Sequence, residues 1–222
     1  MMFRDRAEAG RMLATALEKW RGKNPLVFAI PRGAVPMGKV IADALEGELD
    51  VVLTRKLHAP GNPEFAIGAV DETGWSYIAD HAESAGATRD YIEHEIAAEL
   101  ETMRRRRAQY TPIRAPLDPT GRIAIVVDDG LATGATMIAA LHALRARQPK
   151  RLICAVPVAS PEAVALVRPC CDEIVCLDAP PGFYAVGQFY HNFRQVDDDE
   201  VIALLTAAAV RRAAPQGGPG AT

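Results

Sequence analysis

Several classes of protein are excluded by features that the sequence lacks. No run of about 18 apolar residues occurs, so no ordinary transmembrane helix is predicted. Only four cysteines are present; they form no Cys-x-x-Cys pair, and the adjacent Cys170 and Cys171 make a poor bridge. The five histidines show no spacing typical of zinc ligands. We therefore expect a protein of the reducing cytoplasm that holds no zinc.

The chain also has little excess of one sign of charge over the other. The 25 basic and 28 acidic side chains leave a formal charge of -3. Such a chain has no global positive field that attracts nucleic acid or an anionic membrane, so neither is an expected partner. The segment from Met1 to Arg21 lacks the apolar centre of a secretory signal, which favours a cytoplasmic protein. Any anion that this protein binds must be held by a local site.

Apolar residues are plentiful, at 49%, and their spacing changes repeatedly along the chain. Short apolar runs are typical of buried strands, and segments with helical spacing follow them. The predicted strands cover 26–30, 51–54, 123–127, 152–158 and 174–177; the predicted helices cover 4–19, 35–45, 91–110, 134–147, 161–167 and 198–212. This alternation predicts an α/β fold with a mainly parallel sheet flanked by helices.

Two shorter features interrupt the alternation. Ala66–Val70 and Trp75–Ile78 flank a turn and predict a hairpin. Within it, Trp75 and Tyr77 are expected to be core residues or contacts of a homodimer. The stretch His58–Pro63 is rich in Gly, Pro and Asn, which predicts a mobile loop.

One segment, 124–136, carries most of the chemistry. It predicts a buried strand, two carboxylates, a loop of small residues and the start of a helix. In an open α/β sheet, ligands bind at the carboxyl ends of the strands, where this segment places Asp128 and Asp129. Amides at a helix N-terminus, with small residues and hydroxyls beside them, suit a phosphate monoester. The residues expected to bind it are Ala132, Thr133, Gly134, Ala135 and Thr136.

The two adjacent carboxylates need a partner, because burying an uncompensated charge costs free energy. A metal ion or a ribose diol beside the phosphate suits Asp128 and Asp129. The alternative is a solvated turn in which an Asp caps the helix. Two other phosphate motifs are excluded, since the chain has no Gly-x-x-x-x-Gly-Lys-Ser/Thr and no Gly-x-Gly-x-x-Gly after a strand.

The order of residues in segment 124–136 resembles the phosphoribosyl diphosphate signature of type I phosphoribosyltransferases. Within that family the chain is most similar to the branch called predicted phosphoribosyltransferases. The resemblance implies transfer of ribose 5-phosphate between phosphoribosyl diphosphate and a nitrogenous base, a purine or a pyrimidine, with release of diphosphate. It implies that Asp128 and Asp129 bind the ribose hydroxyls and that the loop 132–136 binds the 5'-phosphate. It also implies Mg²⁺ as cofactor, held mainly by substrate oxygens.

Two further loops match the plan of that family. Arg32, Gly33 and Ala34 follow the first core strand, where the family binds diphosphate through backbone amides, often across a cis peptide, expected here between Arg32 and Gly33. Arg55 and Lys56 follow the next strand and resemble the catalytic basic pair that meets the diphosphate. The alternatives are an exposed loop arginine at position 32 and a solvated strand end at 55–56.

The resemblance also implies how the chain is divided. One domain, 1–212, is expected to consist of a core, about 24–58 and 118–180, and a small hood or lid, about 59–117 and 181–197. A loop from His58 to Phe65 is expected to close over the site and exclude water. Residues 213–222 are rich in Pro and Gly and are expected to form a disordered tail.

The acceptor base is less constrained by the sequence. The 6-oxopurine branch of the family has an acidic residue in the phosphate loop, where this chain has Ala132, which argues against hypoxanthine or guanine transfer by that acid. Four aromatic side chains after the last core strand are candidates either for stacking on a base or for packing a lid: Phe183, Tyr184, Phe189 and Tyr190.

A regulatory protein that binds phosphoribosyl diphosphate without transferring it is the alternative function. Such a protein would bind nucleic acid in response to the diphosphate. The negative net charge and the lack of a helix-turn-helix pattern before Leu26 favour the enzyme.

Overall fold

The structure, a computed structural model, describes residues 1–113 and 115–213, with the backbone alone for 211–213. The helices are α1 (Arg6–Ala16), α2 (Val35–Ala44), α3 (Arg89–Tyr110), α4 (Ala135–Arg145), α5 (Pro161–Val167) and α6 (Asp198–Ala213). The strands are β1 (Leu26–Ala29), β2 (Glu48–Val51), β3 (Thr54–Ala59), β4 (Asn62–Asp71), β5 (Ser76–Ile78), β6 (Ile123–Val127), β7 (Arg151–Val158) and β8 (Glu173–Asp178). Short 3-10 turns cover Glu18–Trp20, Arg168–Cys170 and Val186–Phe189.

The larger sheet is parallel throughout, with the strand order β2-β1-β6-β7-β8. From β1 the chain first adds β2 on one side and later adds β6, β7 and β8 on the other. The last residues of β1 and β6, Ala29 and Val127, are paired, so the loops that follow these strands leave the sheet side by side. That place is the switch point at which open α/β sheets bind ligands. The predicted α/β fold with a mainly parallel sheet is confirmed.

Both faces of this sheet are buried, which explains the continuous apolar runs of its strands. Alternate residues of one strand point to opposite faces. Val27 and Ala29 pack in one cluster with residues of α1, α2 and α6, whereas Leu26 and Phe28 pack in a second cluster with residues of α4 and α5. The apolar helical faces found in the sequence are those that cover the sheet.

The smaller sheet is antiparallel, with the order β3-β4-β5. Its first strand corrects two expectations. The predicted strand 51–54 is divided, because β2 ends at Val51 and β3 begins at Thr54 in the other sheet; residues 51–54 are buried throughout, so the apolar run does not mark the boundary. The predicted mobile loop His58–Pro63 is instead a hairpin, since Ala59 pairs with Asn62 around a tight turn.

The second hairpin, β4–β5, is confirmed and packs against α4. Trp75 and Tyr77 lie against Ala135 and Ala139 of that helix. The Trp75 ring also stacks on the His142 ring, with the centroids 3.8 Å apart. These contacts join the small sheet to the larger one, so both aromatic side chains contribute to packing within the chain.

The first and last helices, α1 and α6, pack in the same cluster on one face of the larger sheet. α1 begins at Arg6 because the Asp5 side chain accepts a hydrogen bond from the Glu8 amide and caps the helix. α6 extends to Ala213, one residue beyond the predicted end, so the first residue of the expected tail 213–222 is helical. The rest of that tail lies outside the described residues. Within the described part of the chain, no helix has both the length and the hydropathy needed to cross a bilayer.

Candidate active site

A cavity of about 310 Å³ lies beyond the carboxyl ends of β1 and β6. The loop after β1 forms one wall, β3 forms another, and the loop between β6 and α4 forms the floor. The lining residues are Ile30, Pro31, Gly33, Thr54, Arg55, Lys56, His58, Asp128, Asp129, Gly130, Leu131, Ala132, Thr133, Gly134, Thr136 and Val186. Most of the side chains expected from the sequence therefore face one space, although they come from three distant segments.

Asp128 and Asp129 both line the cavity, but they have different partners. Asp129 Oδ2 accepts hydrogen bonds from Nε and Nη2 of Arg6, at 2.9 and 2.8 Å. Asp128 Oδ1 accepts a hydrogen bond from the Asp129 amide at 2.9 Å. Arg6 of α1 thus offsets the negative charge of Asp129, whereas the hydrogen bond that Asp128 accepts comes from a backbone amide.

The surroundings of the acid pair raise both pKa values. Burial raises the pKa of Asp128 well above its usual value, and the neighbouring anion of Asp129 raises it further. Burial also raises the pKa of Asp129, against the opposing charge of Arg6. Lys56 lowers both pKa values in part, through its charge. A pair of carboxylates with this shortage of positive charge suits hydroxyl donors or a cation.

The loop between β6 and α4 presents small residues and amides to the cavity. Ala132, Thr133, Gly134 and Thr136 line it, whereas Ala135 is buried behind the loop, in a cluster with two other alanines. Gly134 has a φ of +79° and lies directly before α4. A Cβ at this position would stand 3.0 Å from Val167 Cγ2, so both the conformation and the packing require glycine.

The phosphate loop is supported from behind by the segment that follows β7. Ser160 Oγ donates a hydrogen bond to the Ala132 carbonyl at 2.8 Å and accepts one from the Ala163 amide at 3.0 Å. The Leu131 amide donates to the Val158 carbonyl at 3.0 Å, and the Ser160 amide donates back to Leu131. These bonds fix the loop at the cavity, with the N-terminus of α4 and the positive end of its dipole beside it.

The loop after β1 contributes backbone to the cavity. Its cis peptide bond joins Pro31 and Arg32, one bond earlier than expected, because the sequence pattern locates the turn but not the bond that reverses within it. Gly33 lines the cavity, whereas Ala34 is fully buried at the start of α2. The Arg32 side chain pairs with Asp198 of α6 at 3.4 Å. This loop can therefore meet a ligand through its backbone rather than through the arginine side chain.

The two basic residues of β3, Arg55 and Lys56, have different surroundings. Lys56 is exposed and lines the cavity, and its charge reaches both carboxylates of the acid pair. Arg55 also lines the cavity, but its guanidinium donates two hydrogen bonds to Glu99 of α3, at 2.6 and 3.3 Å. Lys56 is therefore the cation of this pair that can meet an anionic ligand directly.

Two places near the cavity offer ligands for a cation. Asp128 and Asp129 supply hard carboxylate oxygens, and the raised pKa values fit a site that gains from a cation such as Mg²⁺. Ligand atoms of His58, Glu95 and Glu99 also lie within 4.8 Å of one another. Because Arg55 already occupies both carboxylate oxygens of Glu99, the acid pair is the better fit.

The aromatic segment after β8 packs mainly against the protein. Tyr190 is buried, its ring lies 5.4 Å from that of Phe3, and its hydroxyl donates to the Asp129 carbonyl at 2.7 Å. Phe189 is buried against the Phe183 ring at 5.2 Å. Tyr184 is 90% exposed, and Val186 is the residue of this segment that lines the cavity. In this conformation none of the four aromatic residues lines the cavity; Phe183, Phe189 and Tyr190 pack against the protein, and Tyr184 faces solvent.

Three residues that contact the site were not singled out from the sequence. Arg6 pairs with Asp129, Ser160 holds the phosphate loop, and His58 lines the cavity. Arg6 and Ser160 occupy helix-start positions that carry no local sign of a ligand. His58 has a weak signal, because it lies two residues beyond Lys56 and so points to the same side of β3.

The model of the phosphoribosyl transferase domain family matches residues 5–194. The match includes α1, both loops that line the cavity, and the aromatic segment. The chain belongs to the phosphoribosyl transferase family. The family membership indicated by segment 124–136 is thereby confirmed.

The proteins to which this chain is similar differ in length. The chain is 41% identical over 211 residues to two Mycobacterium tuberculosis proteins, named "Putative phosphoribosyl transferase Rv0571c" and "Putative phosphoribosyl transferase MT0597". The alignment covers 93% of this chain but 47% of each relative, so the chain spans about half the length of these proteins. The crystal structure of TT1426 from Thermus thermophilus is similar over 93% of this chain and 99% of its own, at 44% identity and a TM-score of 0.78.

Proposed function

We propose that this chain transfers ribose 5-phosphate between phosphoribosyl diphosphate and a nitrogenous base of the purine or pyrimidine type. In the forward direction, a nitrogen of the base forms a bond to the anomeric carbon of the ribose. The bond from that carbon to the diphosphate oxygen breaks, the diphosphate leaves with the electron pair, and the base releases a proton. The observation that carries the proposal is the single cavity shared by the acid pair, Lys56 and the N-terminus of α4.

The phosphate of the substrate is assigned to the loop 132–136. Backbone amides at the start of α4, together with the hydroxyls of Thr133 and Thr136, supply donors on one side of the cavity. Each hydrogen bond to a charged group contributes about 1.5 to 3 kcal/mol, and the helix dipole adds about 0.3 to 2 kcal/mol. A few such contacts bind a phosphate monoester without a lysine in the loop.

The ribose and the diphosphate are assigned to the two remaining walls. Asp128 and Asp129 line the cavity beside the phosphate loop, where ribose hydroxyls would donate to their oxygens. Gly33 and Lys56 face the cavity from the opposite walls and are assigned to the diphosphate. Positive charge at Lys56 stabilises the departing diphosphate, while the carboxylates stabilise the oxocarbenium-like ribose, so electrostatics and positioning supply most of the rate.

Mg²⁺ is the cofactor that fits this arrangement. It would be held mainly by substrate oxygens, with Asp128 and Asp129 as the carboxylates that line the same cavity. When bound, such an ion neutralises charge on the diphosphate. The residues of the chain keep their own tasks, which are to bind the sugar, to orient the phosphate and to exclude water.

Diphosphate release, measured with phosphoribosyl diphosphate, Mg²⁺ and a panel of purine and pyrimidine bases, tests the proposal. We expect release with one class of base, and a loss of about tenfold or more in Lys56→Ala, whose unfolding temperature stays unchanged because the side chain is exposed. Lys150→Ala, also at an exposed lysine but outside the cavity, is the matched control.

Two results would contradict the transferase. One is the absence of diphosphate release with every base, together with no calorimetric binding of phosphoribosyl diphosphate. The other is binding of RNA or DNA that changes with phosphoribosyl diphosphate in a gel-shift assay, without turnover, which would indicate a regulator.

A further inference from the structure

Arg6, the first residue of α1, is held from several sides. Its side chain is only 11% exposed. Nε and Nη2 donate to Asp129 Oδ2, and Nη1 donates to the Arg194 carbonyl at 2.7 Å. The guanidinium carbon lies 3.9 Å from the centre of the Phe193 ring, which stabilises the cation further. Each guanidinium nitrogen therefore has a partner, and the side chain has one orientation.

Arg6 lies behind the acid pair rather than in the cavity. Asp129 lines the cavity, whereas Arg6 lines a separate recess with Asn192 and Arg194. A Cβ built on Gly33 would overlap Asp129 Oδ2 and stand 3.2 Å from Arg6 Nη2. Arg6, Asp129 and the loop after β1 are thus in direct contact, although they are far apart in the sequence.

The contact between Arg6 and Asp129 matters because the expected ligand is negatively charged. Phosphoribosyl diphosphate is a polyanion, and a cavity with two adjacent carboxylates repels it. The two hydrogen bonds that Arg6 donates to Asp129 Oδ2 offset the negative charge of Asp129. The same pair fixes the Asp129 side chain against the backbone of Gly33, in the loop assigned to the diphosphate.

We propose that Arg6 is a positioning residue for phosphoribosyl transfer, which offsets the charge of Asp129 and fixes its side chain against the Gly33 loop. The inference rests on the proposed function and deepens it. It makes α1 a part of the active site, with no contact between Arg6 and the substrate. Both acids stay beside the ribose hydroxyls, and Asp129 also shapes the wall that Gly33 shares.

Calorimetric binding of phosphoribosyl diphosphate with Mg²⁺ tests this in Arg6→Gln, Asp129→Asn and the double variant. We expect Arg6→Gln to weaken binding by about tenfold or more, since it leaves the Asp129 carboxylate without the guanidinium that offsets its charge. The double variant should bind no more weakly than Arg6→Gln, because removal of the Asp129 charge removes the need for the cation. Arg11→Gln, at an exposed arginine of the same helix, should bind like the wild type.

The outcomes are distinguishable. Wild-type affinity in a folded Arg6→Gln overturns the inference, and so do losses in the two single variants that multiply in the double variant. If Arg6→Gln does not fold, Arg6→Lys takes its place; its amine keeps the charge but not the paired donors, so an intermediate loss supports the inference and wild-type affinity overturns it. If the wild type itself binds no phosphoribosyl diphosphate, the proposed function fails and this inference fails with it.

Discussion

Gly33 lies so close to Asp129 that a Cβ on residue 33 would overlap the Asp129 carboxylate. The loop after β1 and the acid pair after β6 can approach this closely because β1 and β6 are adjacent strands of the sheet. Asp129 can therefore take its observed position only because residue 33 has no side chain.

Replacement of Gly33 by alanine tests this relationship. We expect Gly33→Ala to displace Asp129, to reduce the free energy of unfolding by about 1 to 3 kcal/mol and to weaken binding of phosphoribosyl diphosphate. Gly182→Ala is the control, since its Cβ would meet nothing within 4 Å. Denaturant unfolding and calorimetry measure both effects; equal stability and affinity in the two variants would contradict the prediction.

The pH dependence of stability follows from Asp128. Its pKa is raised in the folded state, so the native protein binds more protons than the unfolded chain in the range from about 3.8, its ordinary value, up to the raised pKa. This group therefore lowers the free energy of unfolding as the pH rises through that range. We expect Asp128→Asn to be more stable than the wild type at neutral pH, and its stability to depend less on pH.

Asp172 supplies a control of opposite sign. Hydrogen bonds from Arg145 and from the Leu152 amide help to hold the pKa of Asp172 below its ordinary value, so its ionised form stabilises the native state. Asp172→Asn should therefore be less stable than the wild type at neutral pH. Urea unfolding across the acidic to neutral range measures both variants. A shift of the same sign in the two would refute the assignment.

A substitution at Thr136 tests whether the loop 132–136 binds phosphate. Its side chain lines the cavity in the first turn of α4. Thr136→Val keeps the shape but removes the hydroxyl, and we expect it to weaken binding of ribose 5-phosphate by about tenfold. Thr102→Val on α3 is the control, because that hydroxyl donates to the Ala98 carbonyl and accepts from Arg105, both in its own helix and outside the cavity. Comparable affinity of both variants in calorimetry would exclude the hydroxyl as a ligand contact.

Thr54 allows a prediction about stability. It is 6% exposed, and its hydroxyl has no hydrogen-bond partner among the described residues. A buried hydroxyl without a partner costs about 1 to 3 kcal/mol, so we expect Thr54→Val to raise the free energy of unfolding by about 1 kcal/mol. Thr54→Ser, which keeps the hydroxyl and loses the methyl group, should be less stable than the wild type. A destabilised Thr54→Val in urea unfolding would show that the hydroxyl has a partner in solution.

Local patterns predicted those parts of the site that one segment contains. The apolar run of β6, the acid pair and the small-residue loop lie within residues 124–136, so strand, turn and helix start could be predicted together. The hairpin β3–β4 was missed because Gly, Pro and Asn favour both a loop and a tight turn. Which of the two forms depends on pairing between strands.

The side-chain partners could not be predicted in the same way. Arg55 was expected to meet diphosphate, yet it pairs with Glu99, which lies 44 residues away. Arg32 belongs to the loop after β1, but its side chain turns toward Asp198 of α6. Both pairings depend on how helices pack over the sheets, and nothing in the flanking residues indicates them.

The sequence by itself determined the family, the α/β alternation of the larger sheet, and the segment that carries the acid pair and the small-residue loop. These depend on apolar spacing, glycine and charge within short stretches of chain, where each residue acts on its neighbours. Tertiary structure alone decided that Arg6 offsets the charge of Asp129, that Gly33 lies against the same carboxylate, and that Lys56 rather than Arg55 faces the cavity unpaired. Those contacts join residues that are far apart in the sequence. The first two need the parallel sheet, which brings the ends of β1 and β6 together, and the third needs α3 packed against β3.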